Sequence, residues 1–261
     1  MLGAAAAASP LVDAGIGGGF GPYRVGAVMR VAITTDRFES AGGPFRRYGM
    51  EPVALPCVRI EAATSEVLTE ARKAAELCDL LLITSARTVE LLWPDGSMPS
   101  APVAAVGQKT AASVATHGGR LAVTGRSGLG DLIDQLGSSL DTVAVVFPHA
   151  ASPWSHGDYS TSLPTASATL RKRATHLVEF EVYRTASLPP GPDAVAAVAF
   201  SSPSAVEGWH LSRSLDTLVV GVIGPTTRLA VAAHRPPEVV APQPSHDSLA
   251  RALASYLEVS A

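Results

Sequence analysis

No stretch of this chain reaches the ~18 uninterrupted apolar residues that a membrane-spanning helix needs, although apolar residues make up 47% of it. Ala and Val spread along the whole length supply the positive mean hydropathy, so a large buried core is expected and no membrane contact. Charge is scarce and balanced. The 20 basic and 23 acidic residues leave a net charge of −3, and no Lys/Arg run exceeds Arg171-Lys172-Arg173. A chain without a basic face is a poor match for nucleic acid. Cysteine is limited to Cys57 and Cys78. Both lie in apolar surroundings without CxxC spacing, which reads as two reduced core thiols in a cytosolic protein. Metal-ligand clusters are missing as well. His149, His156 and Asp158 share one segment, but no second ligand group accompanies them, so a surface histidine pair and no metal are expected.

What is present is alternation. The 261 residues suffice for one large domain or two of ordinary size. Residues 1–28 are Ala- and Gly-rich, with Ala4 to Ala8 in a row, Gly17-Gly18-Gly19 soon after, and a first basic residue only at Arg24. A secretory leader carries positive charge at its start. This stretch is therefore expected to be a disordered tail, or translated sequence upstream of an initiator at Met29. Beyond it, Val31–Thr34, Leu80–Ile83, Val103–Val106, Val143–Phe147, Val178–Tyr183, Val195–Phe200 and Leu218–Ile223 read as strands. Pro52–Pro56 reads as extended because its prolines fix the chain locally. Helical spacing shows at Val67, Leu68, Ala71, Ala74, Ala75 and Cys78, around Ala168–Arg173, and at Leu249, Leu253, Tyr256 and Leu257. A weaker helix is expected near Gly43–Tyr48. Strands separated by helices imply parallel sheets covered on both faces.

The two halves repeat. Thr84-Ser85-Ala86-Arg87-Thr88-Val89-Glu90 parallels Ser201-Ser202-Pro203-Ser204-Ala205-Val206-Glu207. Gly107 follows Ser85, and Gly224 follows Ser202, by the same 22 residues; the offset of 117 also relates Leu132 to Leu249. Three landmarks in register indicate an internal duplication. Each hydroxyl motif follows an apolar strand and precedes a helix, so Ser85 and Ser202 are natural N-caps, each worth about 1 kcal/mol. Pro203 suits the first helical position, where its missing donor costs nothing. Gly107 and Gly224 stand at the next strand-to-helix turn, where glycine lets the backbone bend and a ligand approach. Capping alone accounts for these residues without any ligand. A functional reading needs one addition: helix starts at the carboxyl end of a parallel sheet gather free N–H groups and partial positive charge, which suits anions. Arg37, Arg87, Lys109, Arg126, Arg184 and Arg228 lie near these turns, where each is either a surface charge or an aid to such binding.

These residues resemble the uroporphyrinogen-III synthase family over Met29 to Leu257. The most specific block is Phe200-Ser201-Ser202-Pro203-Ser204-Ala205-Val206 followed by Ile223-Gly224-Pro225-Thr226-Thr227. Its first-half counterparts are Ile83-Thr84-Ser85 and Ala105-Val106-Gly107-Gln108-Lys109-Thr110-Ala111. Val182-Tyr183-Arg184 is similar to the family's return crossing between lobes, and Ser245-His246-Asp247-Ser248-Leu249 to its last helix start. The resemblance implies an α/β fold of two lobes, each a parallel sheet flanked by helices, joined by a two-stranded linker. One lobe would hold residues 29–57 and 185–261, the other 62–178, with 58–61 and 179–184 as the crossings. Sequence repeats and spatial lobes then differ, and the repeat boundary near Leu140 falls inside a lobe.

The resemblance further implies a monomeric, cytoplasmic enzyme of tetrapyrrole synthesis that needs no cofactor. It would invert the terminal ring of linear hydroxymethylbilane and close the macrocycle with loss of water, through a spiro-pyrrolenine intermediate. Thr84, Ser85, Gly107, Gln108, Lys109, Thr110, Ser201, Ser202, Ser204, Gly224, Thr226, Thr227 and Arg37 would bind this octacarboxylate. Tyr183 would assist departure of the hydroxyl; packing of a linker tyrosine with a wet tip is the plain alternative. Relatives carry an Arg-Gly element and a further Arg after the strand ending at Phe147, whereas this chain has Pro148 to Tyr159. A rim without those arginines holds carboxylates less firmly. Ser245-His246-Asp247 is not a catalytic triad, because adjacent residues at a helix start cannot adopt the relay geometry. Two other classes stay open: a non-catalytic relative that senses a small anion or docks a protein, and a periplasmic-type solute-binding protein, for which residues 1–28 supply no convincing export signal.

Overall fold

Alternate residues of the short apolar strands face opposite sides, and each side is covered by helices. In the computed structural model, which describes residues 28–126, 128–151 and 162–259, Val31 and Ile33 pack under one helical layer and Ala32 under the other. The Ala/Gly-rich stretch through residue 27 and residues 152–161, which include most of the Pro148 to Tyr159 segment that departs from the family pattern, lie outside the described residues.

A five-stranded sheet has the order β11-β10-β9-β1-β2, with β1 at Arg30–Ile33, β2 at Glu51–Ala54, β9 at Ala197–Phe200, β10 at Val219–Val222 and β11 at Val239–Val240. All its pairings are parallel. Helices α1 (Phe38–Arg47) and α9 (His246–Val259) cover one face; α7 (Pro203–His210) and α8 (Pro225–Ala232) cover the other. The second sheet has six strands in the order β3-β8-β7-β4-β5-β6. These are β3 (Val58–Ala62), β4 (Leu80–Ile83), β5 (Pro102–Val106), β6 (Arg120–Gly125), β7 (Ala144–Ala150) and β8 (His176–Ser187). Helices α2 (Ser65–Leu77), α3 (Ala86–Leu92) and α4 (Gly107–Thr116) lie on one face, α5 (Leu129–Leu136) and α6 (Ser162–Arg173) on the other.

The duplication is visible in element order: β4-α3-β5-α4-β6-α5 matches β9-α7-β10-α8-β11-α9. Leu132 and Leu249 are both fully buried. The opening strands are exchanged, since β1 pairs with β9 and β7 with β4. Leu140 therefore sits in the 3-10 turn Gly137–Asp141 between two strands of the six-stranded sheet.

That sheet differs from the purely parallel expectation at one edge. The second half of β8 outruns β7 and pairs antiparallel with β3, Val58 opposite Ser187 and Ala62 opposite Tyr183. The two strands joining the sheets are thus an extension of the six-stranded sheet, because β8 continues unbroken for 12 residues. Helix α7 packs onto this extension at Gly208. A Cβ there would stand 2.1 Å from the Cys57 carbonyl oxygen and 2.8 Å from that of Leu188. Helix α1 starts five residues before the expected Gly43, at Phe38. Gly42 eases the approach of that helix to β2, since a Cβ there would stand a tight 3.3 Å from the Pro52 ring. Cys57 is buried and Cys78 half-buried, both free thiols. Burial pushes the Cys57 thiol up to about 12, so it is inert at neutral pH.

Candidate active site

Strand order reverses once in each sheet. In the five-stranded sheet the chain runs outward from β1 to β2 on one side and from β9 to β11 on the other. In the six-stranded sheet it runs from β4 to β6 on one side and from β7 to β8 on the other. The carboxyl ends flanking such a reversal diverge, leaving a crevice for ligands. Thr35 and Ser201 mark the first reversal, Thr84 and Ser85 the second, and all four line one cleft of about 310 Å³. Thr34 secures the first crevice from below: its buried hydroxyl donates to the Ala199 carbonyl at 2.8 Å, tying β1 to β9.

The hydroxyl motifs act as caps, as their position after each strand dictates. Ser85 Oγ accepts from the Arg87 amide at 3.2 Å and Ser202 Oγ from the Ala205 amide at 3.3 Å. Pro203 is the first residue of α7. Gly107 opens α4 at φ +77°, the left-handed region that glycine tolerates, while Gly224 caps α8 in extended backbone.

The cleft walls also carry Arg37, Ser40, Ala86, Arg87, Lys109, Thr110, Ile223 and His246. Two ion pairs cross it. Arg87, at the start of α3, makes a two-pronged contact with Asp36 of the β1–α1 turn at 2.6 and 3.1 Å. Arg37 reaches the opposite way to both Glu90 carboxylate oxygens on α3. Burial disfavours the Asp36 charge, but hydrogen bonding and charge from Arg87, with Thr35 and Arg37, outweigh it and hold this carboxyl below the usual range. Lys109 has no carboxylate within ion-pair distance among the described residues.

Comparison with solved structures places this architecture. A mutant uroporphyrinogen III synthase of the extreme thermophile Thermus thermophilus superimposes with a TM-score of 0.60 at 18% identity, covering 89% of this chain and all of that one. Uroporphyrinogen-III synthetase of Helicobacter pylori 26695 gives 0.60 at 17% identity, covering 90% of this chain and 99% of that one. At such identities the likeness concerns the fold. No curated protein sequence matches significantly. The family model for uroporphyrinogen-III synthase HemD matches residues 40–251. The chain belongs to this family.

Within this synthase-family fold, the cleft gathers Arg37, Thr84, Ser85, Lys109, Thr110 and Ser201 from the residues singled out in the sequence. Gly107, Gln108, Ser202, Ser204, Gly224, Thr226 and Thr227 stand on the same helix starts but outside its walls. Ser204 is buried, its carbonyl accepting from the Ser187 hydroxyl at 3.3 Å, and Thr227 is buried as well. Tyr183 is only 8% exposed. Its ring belongs to the apolar cluster beneath α2 and α3, and its carbonyl accepts from the Ala151 amide at 2.7 Å. His149 packs its ring 4.6 Å from Phe147, with Nε2 3.7 Å from Glu179. The other two members of that segment, His156 and Asp158, lie outside the described residues, and no group of three or more His, Cys, Asp or Glu among the described residues is placed to hold a metal ion. No described helix is long and apolar enough to cross a membrane. Sequence reasoning missed Thr35, Ser40 and His246 as cleft residues. The Ser245-His246-Asp247 helix start was the one signal for the last of them.

Proposed function

We propose that this chain converts hydroxymethylbilane into uroporphyrinogen III, inverting the terminal pyrrole ring and releasing water, which makes it a carbon–oxygen lyase of tetrapyrrole synthesis. The observation that supports this most is the opening of both sheet reversals onto one cleft whose walls are hydroxyls, helix starts and cations. Such walls suit a substrate carrying many carboxylates. The cavity of about 310 Å³ sits at the low end of the ~300–1,000 Å³ range of ligand sites. Four linked rings need more room, so the substrate extends beyond it and the lobes part on binding. We assign the lobes to residues 29–57 with 185–261, and to 62–178, flexing about the β3–β8 extension.

The free bilane already tends to cyclise, so the task of the protein is to hold one conformer in which the terminal ring folds back. Loss of the hydroxyl as water needs a proton donor nearby. We assign hydrogen bonding to that departing group to Tyr183, which lies on β8 outside the cavity wall. Carboxylates of the substrate bind to Lys109, Thr84, Ser85, Thr110 and Ser201, with Gly107, Gln108, Ser202, Ser204, Gly224, Thr226 and Thr227 shaping the adjoining helix starts and Arg37 the rim. The enzyme acts as a cytoplasmic monomer and its chemistry calls for no cofactor.

The test feeds purified protein with hydroxymethylbilane from a coupled deaminase and identifies the isomer after oxidation. Type III product is expected, with Tyr183→Phe slower at unchanged melting temperature. Only the spontaneous type I isomer would refute the activity, and wild-type rates in Tyr183→Phe would remove that residue from the site.

A further inference from the structure

His246 is the first residue of α9 and forms part of the cleft wall, on the side of the five-stranded sheet. Its Nε2 is shielded from solvent, yet it has no hydrogen-bond partner among the described residues. Shielded polar atoms are normally paired, and an unpaired one on a residue of the cleft wall calls for an explanation. Across the cleft, on α4 of the other sheet, stands Lys109. The other cleft cations, Arg37 and Arg87, are already committed to Glu90 and Asp36. Lys109 has no such carboxylate among the described residues.

We propose that His246 and Lys109 form a two-sided subsite for one carboxylate of the linear tetrapyrrole, gripping it from opposite sheets. The assignment of substrate rests on the function proposed above; the geometry of the pair does not. A carboxylate between the two satisfies the orphan imidazole nitrogen and neutralises the ammonium at once. Burial, and then the charge of Lys109, hold His246 below the ordinary imidazole value, so the ring is neutral at pH 7 before ligand arrives. An arriving carboxylate offsets the Lys109 charge and favours the imidazolium, so binding draws in a proton.

The remaining charges near His246 leave this sign unchanged. Asp247, its neighbour on α9, is held by Arg47 of α1 at 2.7 Å, and Arg251 on α9 is exposed. On α1, Glu39 is exposed and Arg46 lies over the Phe38 ring at 5.4 Å. Strands β10 and β11, packed against α9, carry no ionisable side chain.

The full chain is titrated with uroporphyrin III, a stable octacarboxylate, by calorimetry at pH 7 in two buffers of different ionisation heat. The wild type should take up a fraction of a proton per ligand bound. His246→Asn should abolish that uptake. His246→Phe and the exposed-site variant Lys109→Met should each weaken binding roughly tenfold, the strength of one charge-assisted contact. Undiminished proton uptake in His246→Asn, unchanged affinity in folded Lys109→Met, or no binding to the wild type overturns the subsite. Type III product without His246-dependent uptake removes the subsite and leaves the activity standing. His246-dependent uptake with only type I product removes the activity and leaves the carboxylate subsite standing.

Discussion

Gly208 shows how one missing side chain fixes the relation of the five-stranded sheet to the strands that leave it. Helix α7 lies so close to the backbone of residues 57 and 188 that a methyl group would fall 2.1 Å from the Cys57 carbonyl oxygen. A backbone oxygen cannot rotate away as a side chain can, so relief requires moving the helix. Gly208→Ala is therefore expected to destabilise by at least about 2 kcal/mol despite alanine's better helix propensity. Urea unfolding measures this, and a neutral or stabilising result would show that α7 does not rest on the linker strands. His246 makes the complementary point. Its position at a helix start was legible, but its place opposite Lys109, 137 residues earlier, was not, because nothing in local spacing encodes a meeting of two sheets.

At the scale of elements, the strands with continuous apolar runs were the most legible. Leu80–Ile83, Ala197–Phe200 and Val219–Val222 are each buried throughout, and a run buried on both faces declares itself by composition alone. Edges were harder. β6 is largely exposed and β11 has only two residues, so neither offers a pattern to detect. The start of α1 was obscured by Gly42-Gly43-Pro44, which reads as a break but is tolerated because the glycine permits contact with β2. The ends of α7 and α8 bring His210 and His234 into a stack 3.7 Å apart. Burial, and secondarily His234, hold His210 below its ordinary value of 6.5. The folded protein thus keeps this ring neutral where the unfolded chain would take a proton. The resulting stability is present above about pH 6.5 and is lost as pH falls through the lowered value. The fall in melting temperature between pH 7.5 and 5.5 should be smaller in His210→Phe than in the wild type; equal falls would contradict this account.

For the whole molecule, the legible part was the duplication and the illegible part was the clasp. Repeated motifs pointed to two equivalent helix starts, and the exchange of opening strands set them at the reversals of two sheets. Nothing in the sequence announced that Asp36 and Arg37 would cross to Arg87 and Glu90 on α3. These contacts are partly exposed, so each contributes modestly, on the order of 1 kcal/mol or less. Their larger consequence is to bridge the rim and engage Arg37 and Arg87, two of the three Arg and Lys side chains among the described residues of the cleft wall. The proposed ring inversion takes place between the two sheet reversals. Ser201→Trp fills that space with an indole from a half-exposed position. The most direct measurement is the isomer ratio formed from hydroxymethylbilane by the wild type and by this variant, with folding of both checked by thermal melting. Type III product is expected from the wild type and only type I from a folded Ser201→Trp. Type I from both, or type III undiminished in the filled variant, would contradict the proposal.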